Sequence, residues 1–365
     1  MSRSDVIILF PDPWLPYSPT ILNIQSILEK NGISLTIICF DNNKYFPKTF
    51  NPGNNIIVKK VNPIIYKILG ATKILDIFKI LTLIIEALKH KNKNTTIIGV
   101  DATGIFAARL LSATAIFLSL EAKNSIFLTL TKILQISTAI FQTKERADYL
   151  IDAARTEIFY LPNSPIIKTI PSQRKRSEPL KFIYLGNIIQ SHGIEACIDG
   201  VLAMEGSPSI HIRGPVTSNY RGFLEGKYRE FIGRQLSISS EYIEQESVQQ
   251  EISYFDIGFV LYDFSILQKS DFNYTSSPSG KLFNYYASGI PVIGTKVSGL
   301  ESVEAYSAGV LINDATPELI VNAATKILAN YEDFSKNALR ASIAFDFEKS
   351  FNPIMQRLLE PHPHS

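Results

Sequence analysis

Short apolar runs alternate along this chain with longer stretches in which apolar residues recur every three or four positions. Continuous apolar runs are typical of buried parallel strands, and the wider spacing is typical of helices that bury one face. This alternation predicts a doubly wound α/β sheet in the first half of the chain. The predicted strands are Val6–Phe10, Ser34–Phe40, Thr95–Val100 and Ala113–Leu118, and the predicted helices are Thr20–Lys30 and Gly104–Leu111.

The alternation begins again after residues 164–179, which are rich in proline and charge, lack apolar periodicity and are predicted to be a linker. We therefore expect two Rossmann-like domains, residues 1–163 and 180–345, that face a central cleft. Residues 346–365 are predicted to form a C-terminal helix and tail that packs back on the first domain. The predicted later strands are Lys181–Leu185, Ser209–Arg213, Asp256–Leu261, Pro291–Gly294 and Gly309–Ile312, and the helices are Ile194–Met204, 279–288 and 316–330.

Charge and cysteine content narrow the class of protein. The chain has 36 Lys and Arg against 34 Asp and Glu, without the large basic excess of a dedicated nucleic-acid binder. Two cysteines, Cys39 and Cys197, are too few for a disulfide framework or a Cys-rich zinc site, and they indicate a reducing cytoplasm. No stretch is predicted to be a signal peptide or a membrane span, because charges interrupt the longest apolar region.

The small overall charge hides a difference between the halves. Residues 1–163 hold 18 Lys and Arg against 12 Asp and Glu, a net charge of +6, and residues 164–179 add +3. Residues 180–365 hold 14 against 21, a net charge of −7. The first half is therefore suited to an anionic surface, whereas the second must bind any anion through a local site.

Several common cofactor motifs are missing. Neither half has a GxGxxG fingerprint after its first strand, and there is no GxxxxGK[ST] and no HExxH. Only five histidines occur, two of them in the C-terminal tail. We therefore expect no dinucleotide, no metal and no other bound cofactor.

Residues 274–294, with the sequence YTSSPSGKLFNYYASGIPVIG, form the most informative segment. A polar loop leads into a helix whose first turn contains Ser279, Gly280 and Lys281. Free N–H groups, the helix dipole and the lysine would together bind an anion. The alternative is an ordinary helix start with a surface lysine.

This segment resembles the P-S-K-L-F-E-Y-x-A-x-G-x-P-V-I signature of two-domain GT-B glycosyltransferases, in particular the family 4-like enzymes. Other segments that resemble this family are residues 182–187 with 191–194, 210–214, 256–260, and 142–147 followed by Leu161-Pro162-Asn163. The resemblance implies a hexosyltransferase that moves a sugar from a nucleotide-sugar co-substrate to a glycan or lipid-linked acceptor. It also implies retention of configuration and a role in bacterial cell-surface polysaccharide synthesis.

The resemblance implies a donor site in the second half of the chain, with four departures from the family pattern. Asn187 and His192 stand where the family has an arginine and a lysine, and Ser276 and Asn284 stand where it has glutamates. Amide and hydroxyl groups can still hydrogen-bond a ribose or a sugar. Alternatively, Asn187 merely ends a strand and His192 is a solvated residue at a helix start. The implied donor-binding residues are Gly186, Asn187, His192, Arg213, Gly214, Ser276, Ser277, Pro278, Ser279, Gly280, Lys281 and Asn284.

The acceptor is expected on the first half, in the loop after the first strand. Asp12, Trp14, Tyr17 and Ser18 lie there, at the sheet edge where α/β proteins bind ligands. An aromatic ring in a stiff loop suits a sugar face or a lipid tail. A proline-stiffened loop with a packing tryptophan is the alternative.

Two carboxylates are candidates for the catalytic work at the same edge. Asp101 and Glu121 follow predicted strands, and either could orient an acceptor hydroxyl or accept its proton. The alternative for Asp101 is a helix N-cap. Retention, as the resemblance implies it, needs no carboxylate base because the leaving phosphate can take the proton.

Residues 59–93 form a second distinctive region. Apolar residues recur at helical spacing, and Lys67, Lys73, Asp76, Lys79 and Glu86 mark a narrower polar face flanked by further lysines. The pattern predicts a core helix with a solvated polar face, or a basic amphipathic helix on an anionic membrane, or both in different parts. The apolar positions are Ile64, Ile65, Ile68, Leu69, Leu75, Phe78, Leu81, Ile84, Ile85 and Leu88.

The sequence is compatible with three functions. The leading hypothesis is a glycosyltransferase in the cytoplasm, peripheral to the inner face of the membrane. A sugar-nucleotide epimerase of the same fold would need flanking carboxylates and histidines, and the few histidines disfavour it. A non-catalytic relative that binds or scaffolds in envelope assembly is motivated by the four departures.

Overall fold

The computed structural model describes residues 5–41, 46–47, 50–61, 73–169, 175–268 and 270–359. The chain divides into two compact units, Met1–Pro162 with Phe347–Ser365, and Asn163–Asp346. Each unit contains one parallel sheet with helices packed against it, so the predicted α/β class is confirmed. The described residues of the predicted linker belong by their contacts to the second unit.

The sheet of the first unit has its first strand at the centre. Its strands are β1 Val6–Leu9, β2 Leu35–Asp41, β3 Ile56–Lys60, β4 Thr96–Val100, β5 Ile116–Leu118, β6 Thr138–Phe141 and β7 Glu157–Tyr160. They run parallel in the order β3-β2-β1-β4-β5-β6-β7. Ile8 lies opposite Ile37 on one side and Ile98 on the other, and β1 is completely buried.

Helices connect these strands and bury the sheet. They are α1 Pro19–Lys30, α2 Lys73–His90, α3 Asp101–Leu111, α4 Ile126–Ile133 and α5 Lys144–Leu150. The turn between β4 and α3 is especially tight, because a Cβ atom at Gly99 would lie 2.3 Å from the Cα of Ile105. This glycine lets α3 begin directly at the carboxyl edge of the sheet.

Helix α2 buries two of the charged residues that were predicted to be solvated. Lys79 and Glu86 are buried and Asp76 is half-buried, whereas Leu81 and Ile85 are exposed. The predicted solvated polar face is therefore wrong for Lys79 and Glu86, which form ion pairs on the inner side, while Lys73 is exposed as predicted. The predicted positions Ile64, Ile65, Lys67, Ile68 and Leu69 lie outside the described residues.

The second unit repeats the architecture. Its strands are β8 Lys181–Leu185, β9 Ser209–Arg213, β10 Leu236–Ser239, β11 Ile257–Val260, β12 Val292–Thr295 and β13 Gly309–Ile312. They run parallel in the order β10-β9-β8-β11-β12-β13. Its helices are α6 Ile194–Leu202, α7 Ser218–Lys227, α8 Val248–Ile252, α9 Phe272–Thr275, α10 Gly280–Ala287, α11 Ser302–Ala305, α12 Pro317–Ala329 and α13 Tyr331–Ala344.

The last helix, α14 Phe347–Leu359, belongs to the first unit and packs against α1. Two polar contacts hold it there. The Thr96 hydroxyl donates to the Leu358 carbonyl at 2.8 Å, and Arg357 pairs with Glu157 at 2.8 Å. Among the described residues, no helix has both the length and the apolarity that crossing a membrane requires.

Candidate functional site

Helix α10 is held tightly against the sheet of the second unit by one tyrosine. The backbone N–H of Leu185 donates to the Tyr285 hydroxyl at 2.9 Å, and that hydroxyl donates to the Ile183 carbonyl at 3.3 Å. Gly258 makes room for the ring, because a Cβ atom there would lie 2.6 Å from it. These contacts place the N-terminus of α10 beside the carboxyl end of β8.

Lys281, in the first turn of α10, is the cation at this edge. Its Nζ atom donates to the Tyr184 hydroxyl at 3.1 Å and lies 4.3 Å from the centroid of that ring. Burial lowers its pKa to about 7, and no carboxylate among the described residues counteracts this. The residue is half-buried on the Tyr184 ring, so the alternative of a fully exposed surface lysine is wrong.

His192 is buried and contacts the same Tyr184 hydroxyl as Lys281. Its Nδ1 atom is 2.7 Å from the Tyr184 hydroxyl, and its ring packs edge-on to Tyr262 and Tyr274. Burial, and then the charge of Lys281, lowers the pKa of His192 to about 3, so the imidazole is neutral. The prediction of a solvated helix-start residue is wrong, and a phosphate contact here would have to be made by a neutral ring.

Asn187 lies two residues beyond the end of β8, in the loop that follows the strand. Its carbonyl accepts from the Tyr184 hydroxyl at 2.7 Å, while its side chain is exposed. The side chain is thus available for the predicted donor contact.

Two glycines allow a close approach of backbone at this edge. Gly186 has a φ of +127°, and a Cβ atom there would lie 3.1 Å from Cε of Lys281. Gly214 has a φ of +146°, and a Cβ atom there would lie 2.0 Å from the Gly186 carbonyl oxygen. Side chains at either position would move the lysine or separate the ends of β8 and β9.

The loop that enters α10 leaves the start of this helix without a side-chain cap. Ser279 occupies the N-cap position, and its hydroxyl accepts no hydrogen bond from the helix. Gly280 lies against Asn163, whose amide nitrogen would be 2.7 Å from a Cβ atom at that glycine. Ser277 packs its backbone against Gly299, and Pro278 is buried.

Asn284 lies one turn along α10 from Gly280 and Lys281, on the same side of the helix. It is 6% exposed, and its Oδ1 atom is buried without a hydrogen-bond partner. Leaving such an acceptor unsatisfied costs about 1–3 kcal/mol. A ligand hydroxyl would satisfy it.

Two predicted donor residues are already engaged within the protein. Ser276 is fully buried, and its hydroxyl donates to the Phe272 carbonyl at 2.5 Å, which leaves no exposed group for the predicted sugar contact. Arg213 pairs with Glu251 at 3.2 Å, although its Nε atom is buried without a partner. The positive charge of Arg213 is therefore partly neutralised before any anion arrives.

In the first unit, the loop after β1 contains the predicted acceptor residues. Trp14 packs edge-on to Phe10 at a ring distance of 5.0 Å and is half-buried, as the packing alternative predicted. Tyr17 is exposed, whereas Ser18 is buried and is not accessible for the predicted contact. Asp12 is half-buried, with Lys79 at 3.9 Å.

Asp101 is the most unusual residue of this unit. It has a φ of +51° at the start of α3, and its Oδ1 atom accepts from the N–H groups of Leu120 and Glu121 at 2.8 and 2.9 Å. Its Oδ2 atom is buried without a partner. The predicted N-cap is wrong, because Val100 occupies that position and Asp101 binds the segment after β5 instead.

Burial and the neighbouring charges raise the pKa of the Asp101 carboxyl group. Burial, and then the charge of Asp12, raises the pKa of Asp101 to about 8, and burial also raises the pKa of Asp12. Glu121 is paired with Lys123 at 3.2 Å. Among the described residues, no three His, Cys, Asp or Glu side chains are arranged as metal ligands.

Three important residues were not singled out as functional in the sequence analysis. Tyr184 and Tyr285 support Lys281 and α10, and Asn163 contacts Gly280. Tyrosines inside apolar strand and helix patterns look like core residues, so only their hydroxyl contacts identify them. Asn163 was part of a motif that resembled the family, but no spacing rule linked it to Gly280.

Comparison with solved structures extends over nearly the whole chain. The sucrose-phosphate synthase of Thermosynechococcus elongatus aligns over 97% of this chain and 98% of its own, with 15% identity and a TM-score of 0.71. The lipopolysaccharide outer core galactosyltransferase WaaB aligns over 96% and 99%, with 15% identity and a TM-score of 0.61. Anabaena Alr3699/HepE, solved with UDP and glucose, aligns over 98% and 99%, with 12% identity and a TM-score of 0.66.

No protein-family model matches the chain, and no curated protein matches it in sequence. The likeness is therefore one of structure. It covers both sheets, and the sucrose-phosphate synthase and WaaB are GT-B glycosyltransferases. The prediction from the sequence is confirmed at this level: the chain has the GT-B fold.

Proposed function

We propose that this protein is a glycosyltransferase that binds a nucleotide sugar on its second unit. The observation that carries the proposal is Lys281, a half-buried lysine at the start of α10 with no carboxylate partner among the described residues. A cation partly removed from water without a counter-charge is costly, and a diphosphate would supply that charge. The unpartnered Oδ1 atom of Asn284, one turn away, would accept from a ribose hydroxyl.

Solved structures of the same fold support a uridine nucleotide as the donor. Alr3699/HepE was solved with UDP and glucose, and WaaB is described as a galactosyltransferase of the lipopolysaccharide outer core. We therefore propose a UDP-hexose as donor and a glycan or lipid-linked acceptor in cell-surface polysaccharide synthesis. The proposed location is the cytoplasm, at the inner face of the membrane.

In the proposed reaction, the bond between the anomeric carbon and the diphosphate oxygen breaks, and a bond to the acceptor oxygen forms on the same face of the sugar. The Lys281 ammonium and the first N–H groups of α10 stabilise the leaving diphosphate. The acceptor proton passes to the leaving phosphate. Asp101 and Glu121 of the first unit are proposed to orient the acceptor hydroxyl, with Asp12 and Trp14 beside them.

The first prediction concerns Lys281 and tests donor binding. UDP-glucose, GDP-mannose and dTDP-glucose are added separately, and the melting temperature is measured for the wild type, Lys281→Met and Lys296→Met. At least one donor should raise the wild-type melting temperature by several degrees, by mass action on the folded state. Lys281→Met should abolish this shift, because methionine keeps the volume and removes the charge.

Lys296→Met is the matched control, because Lys296 belongs to the same unit and pairs with Glu304 on the surface. It should keep the full shift. No shift with any nucleotide sugar in the wild type, or an equal shift in Lys281→Met, would contradict the proposal.

A non-catalytic relative that only binds nucleotide sugars is the second candidate. The observation that favours it is the scarcity of free positive charge: Arg213 is paired with Glu251, and His192 is neutral. Release of nucleoside diphosphate from a bound donor, measured with a mixture of glycan and polyprenyl-phosphate acceptors, separates the two functions. Tight donor binding without release favours the second candidate.

A further inference from the structure

Helix α2 is apolar on both sides: it buries Leu75, Ile80, Leu83 and Ala87, and its outer side is apolar as well. Lys79 and Glu86, in its interior turns, are 6% and 8% exposed. Between Lys73 and Lys89, every exposed side chain of α2 is apolar. These side chains are 45–61% exposed and are Ile74, Ile77, Phe78, Leu81, Ile85 and Leu88.

Ion pairs on the inner side fix this orientation. Glu86 pairs with Lys59 at 2.7 Å and with Lys89 at 2.8 Å, and Lys79 lies 3.9 Å from Asp12. If the helix turned its outer side inward, Lys79 and Glu86 would lose these partners, and Leu75 and Leu83 would lose their buried contacts.

Further exposed apolar residues lie on the two adjoining helices. Helix α2 packs on α3, and α3 packs on α4. Leu110 of α3 is 54% exposed, and Ile126 and Ile133 of α4 are 49% and 74% exposed. We call the exposed side of α2, α3 and α4 the outer apolar face. Exposed apolar surface of this extent on a folded unit marks a contact surface.

The charges around the outer apolar face all have one sign. The exposed charged residues of the three helices are Lys73, Lys89 and Lys132, and Lys93 and Lys123 are exposed in the adjoining loops. The carboxylates of the three helices, Asp76, Glu86 and Asp101, and Glu121 of the loop before α4 are buried or half-buried. Glu86 and Glu121 pair with Lys89 and Lys123, so Lys73, Lys93 and Lys132 carry the remaining charge of the border. A second copy of this face would be repelled by its own lysines, whereas an anionic surface would be attracted.

The kinds of residue on this face fit lipid better than protein. The face consists of Ile and Leu with one Phe, and its three helices expose no Tyr, Trp or Arg. Protein interfaces concentrate their binding energy in Trp, Tyr and Arg, with few Leu. Helices that lie in the plane of a membrane bury Leu, Phe and Trp and carry Lys and Arg beside them, so Leu and Phe flanked by lysines fit this second pattern.

We propose that the outer apolar face inserts into the headgroup region of an anionic lipid bilayer. The apolar side chains of α2 enter the acyl boundary, while Lys73, Lys93 and Lys132 contact lipid phosphates. This inference rests on the proposed function for the idea that the acceptor is at a membrane, and it adds which surface binds and to which lipids.

The second prediction tests this face by vesicle flotation with the full chain. Vesicles of phosphatidylcholine alone and with about 30% phosphatidylglycerol are compared at about 0.1 and 0.5 M NaCl. The wild type should float with the anionic vesicles at low salt, and at least about threefold less at high salt or with neutral vesicles. No flotation with any vesicle would overturn the proposal.

Two variants with matched controls locate the binding. Ile77→Gln with Leu81→Gln and Ile85→Gln should reduce flotation by more than about tenfold. The control variant removes three exposed apolar residues of the second unit, by Tyr254→Gln, Ile266→Gln and Ile343→Gln. Its flotation should equal that of the wild type. Equal losses in both triple variants would overturn the proposal.

Lys93→Gln with Lys132→Gln should reduce flotation about three- to tenfold at low salt. The control pair, Lys326→Gln with Lys336→Gln, also removes two exposed lysines and should have no effect. A wild type that is dimeric in solution, does not float, and becomes monomeric in the Ile77 triple variant would overturn the proposal in favour of a second copy.

The donor-dependent melting shift is measured in the same variants. A retained shift with lost flotation supports the membrane face and keeps the proposed function. Flotation of a wild type that shows no donor shift would contradict the proposed function alone.

Discussion

Lys281 shows how much a single uncompensated charge can indicate. The same lysine in an exposed first turn of a helix would have little meaning. Here its ammonium lies on the Tyr184 ring, against a glycine backbone, and burial lowers its pKa to about 7. The lysine is therefore close to losing its charge in the absence of a ligand, and a bound diphosphate would restore that charge.

This titration gives the third prediction. Because a diphosphate favours the charged lysine, affinity for a UDP-hexose should fall as the pH rises above about 7, by up to about tenfold for each pH unit. Lys281→Arg should flatten this dependence, since guanidinium stays charged. Isothermal titration calorimetry at pH 6.5, 7.5 and 8.5 measures both proteins, and parallel curves would contradict the assignment.

Asp101 shows the opposite case, a carboxylic acid that burial keeps protonated. One oxygen accepts two backbone N–H groups, and the other oxygen is buried without a partner. Its pKa of about 8 means that the neutral form predominates at pH 7. A neutral carboxyl group can donate as well as accept, which suits a residue that orients an acceptor hydroxyl.

The fourth prediction follows from the sign of this shift. A carboxyl group with a raised folded-state pKa contributes stability that is present below its unfolded pKa of about 3.9 and is lost as pH rises toward 8. Asp101→Asn keeps the accepting oxygen and cannot ionise. The difference between its free energy of unfolding and the wild-type value should therefore shift in favour of the variant by about 1 kcal/mol for each pH unit between 5 and 7.

Urea unfolding at pH 5, 6 and 7 measures this difference. Asp314→Asn, which changes an exposed aspartate of the second unit, is the control and should give a constant difference. A constant difference for Asp101→Asn as well would contradict the buried titration.

At the scale of elements, the position of α10 depends on how the Tyr285 ring packs against strand β11. Tyr285 fills the space above Gly258 and hydrogen-bonds the end of β8. Any movement of this ring moves the start of the helix, and with it Lys281 and Asn284. The site is therefore sensitive to changes at a buried strand position that no ligand contacts.

The fifth prediction uses this dependence. Gly258→Ala places a methyl group 2.6 Å from the Tyr285 ring and should lower the free energy of unfolding by about 2–4 kcal/mol and weaken donor binding. In α7, a Cβ atom at Gly222 would have no atom within 4 Å. Gly222→Ala should therefore raise the free energy of unfolding by up to about 1 kcal/mol. Urea unfolding measures both, and equal effects would contradict the packing argument.

Helix α2 marks a limit of what an amphipathic pattern can predict. The sequence indicates two faces, and we expected the charged one to be solvated. The partners that draw Lys79 and Glu86 inward are Asp12 and Lys59, which lie on a loop and a strand distant in sequence. Periodicity along one helix contains no information about these pairs, so the direction of the helix could not be predicted.

At the scale of the whole molecule, the fold was largely predictable. Continuous apolar strands such as Val6–Leu9 and Lys181–Leu185, alternating with periodic helices, determine a parallel α/β class. Four of the described strands were missed: Thr138–Phe141 inside the first sheet, and Ile56–Lys60, Glu157–Tyr160 and Leu236–Ser239 at sheet edges. The three edge strands are only partly buried, so their sequences lack a continuous apolar run.

The site was predictable in its position and less so in its atoms. Gly280 and Lys281 were identified by a helix start and a family signature, and both lie where expected on α10. The inward hydroxyl of Ser276, the neutral ring of His192 and the pairing of Arg213 depend on neighbours that the sequence does not specify.

The outward direction of α2 has a practical consequence for anyone who engineers this chain. Methods that improve expression usually replace exposed Ile, Leu and Phe with polar residues, and they would select Ile77, Leu81 and Ile85 first. Such changes would reduce aggregation in a test tube while removing the contact proposed for the cell. Yield and biological activity would then respond in opposite directions to the same substitutions, so only an assay that includes lipid would reveal the loss.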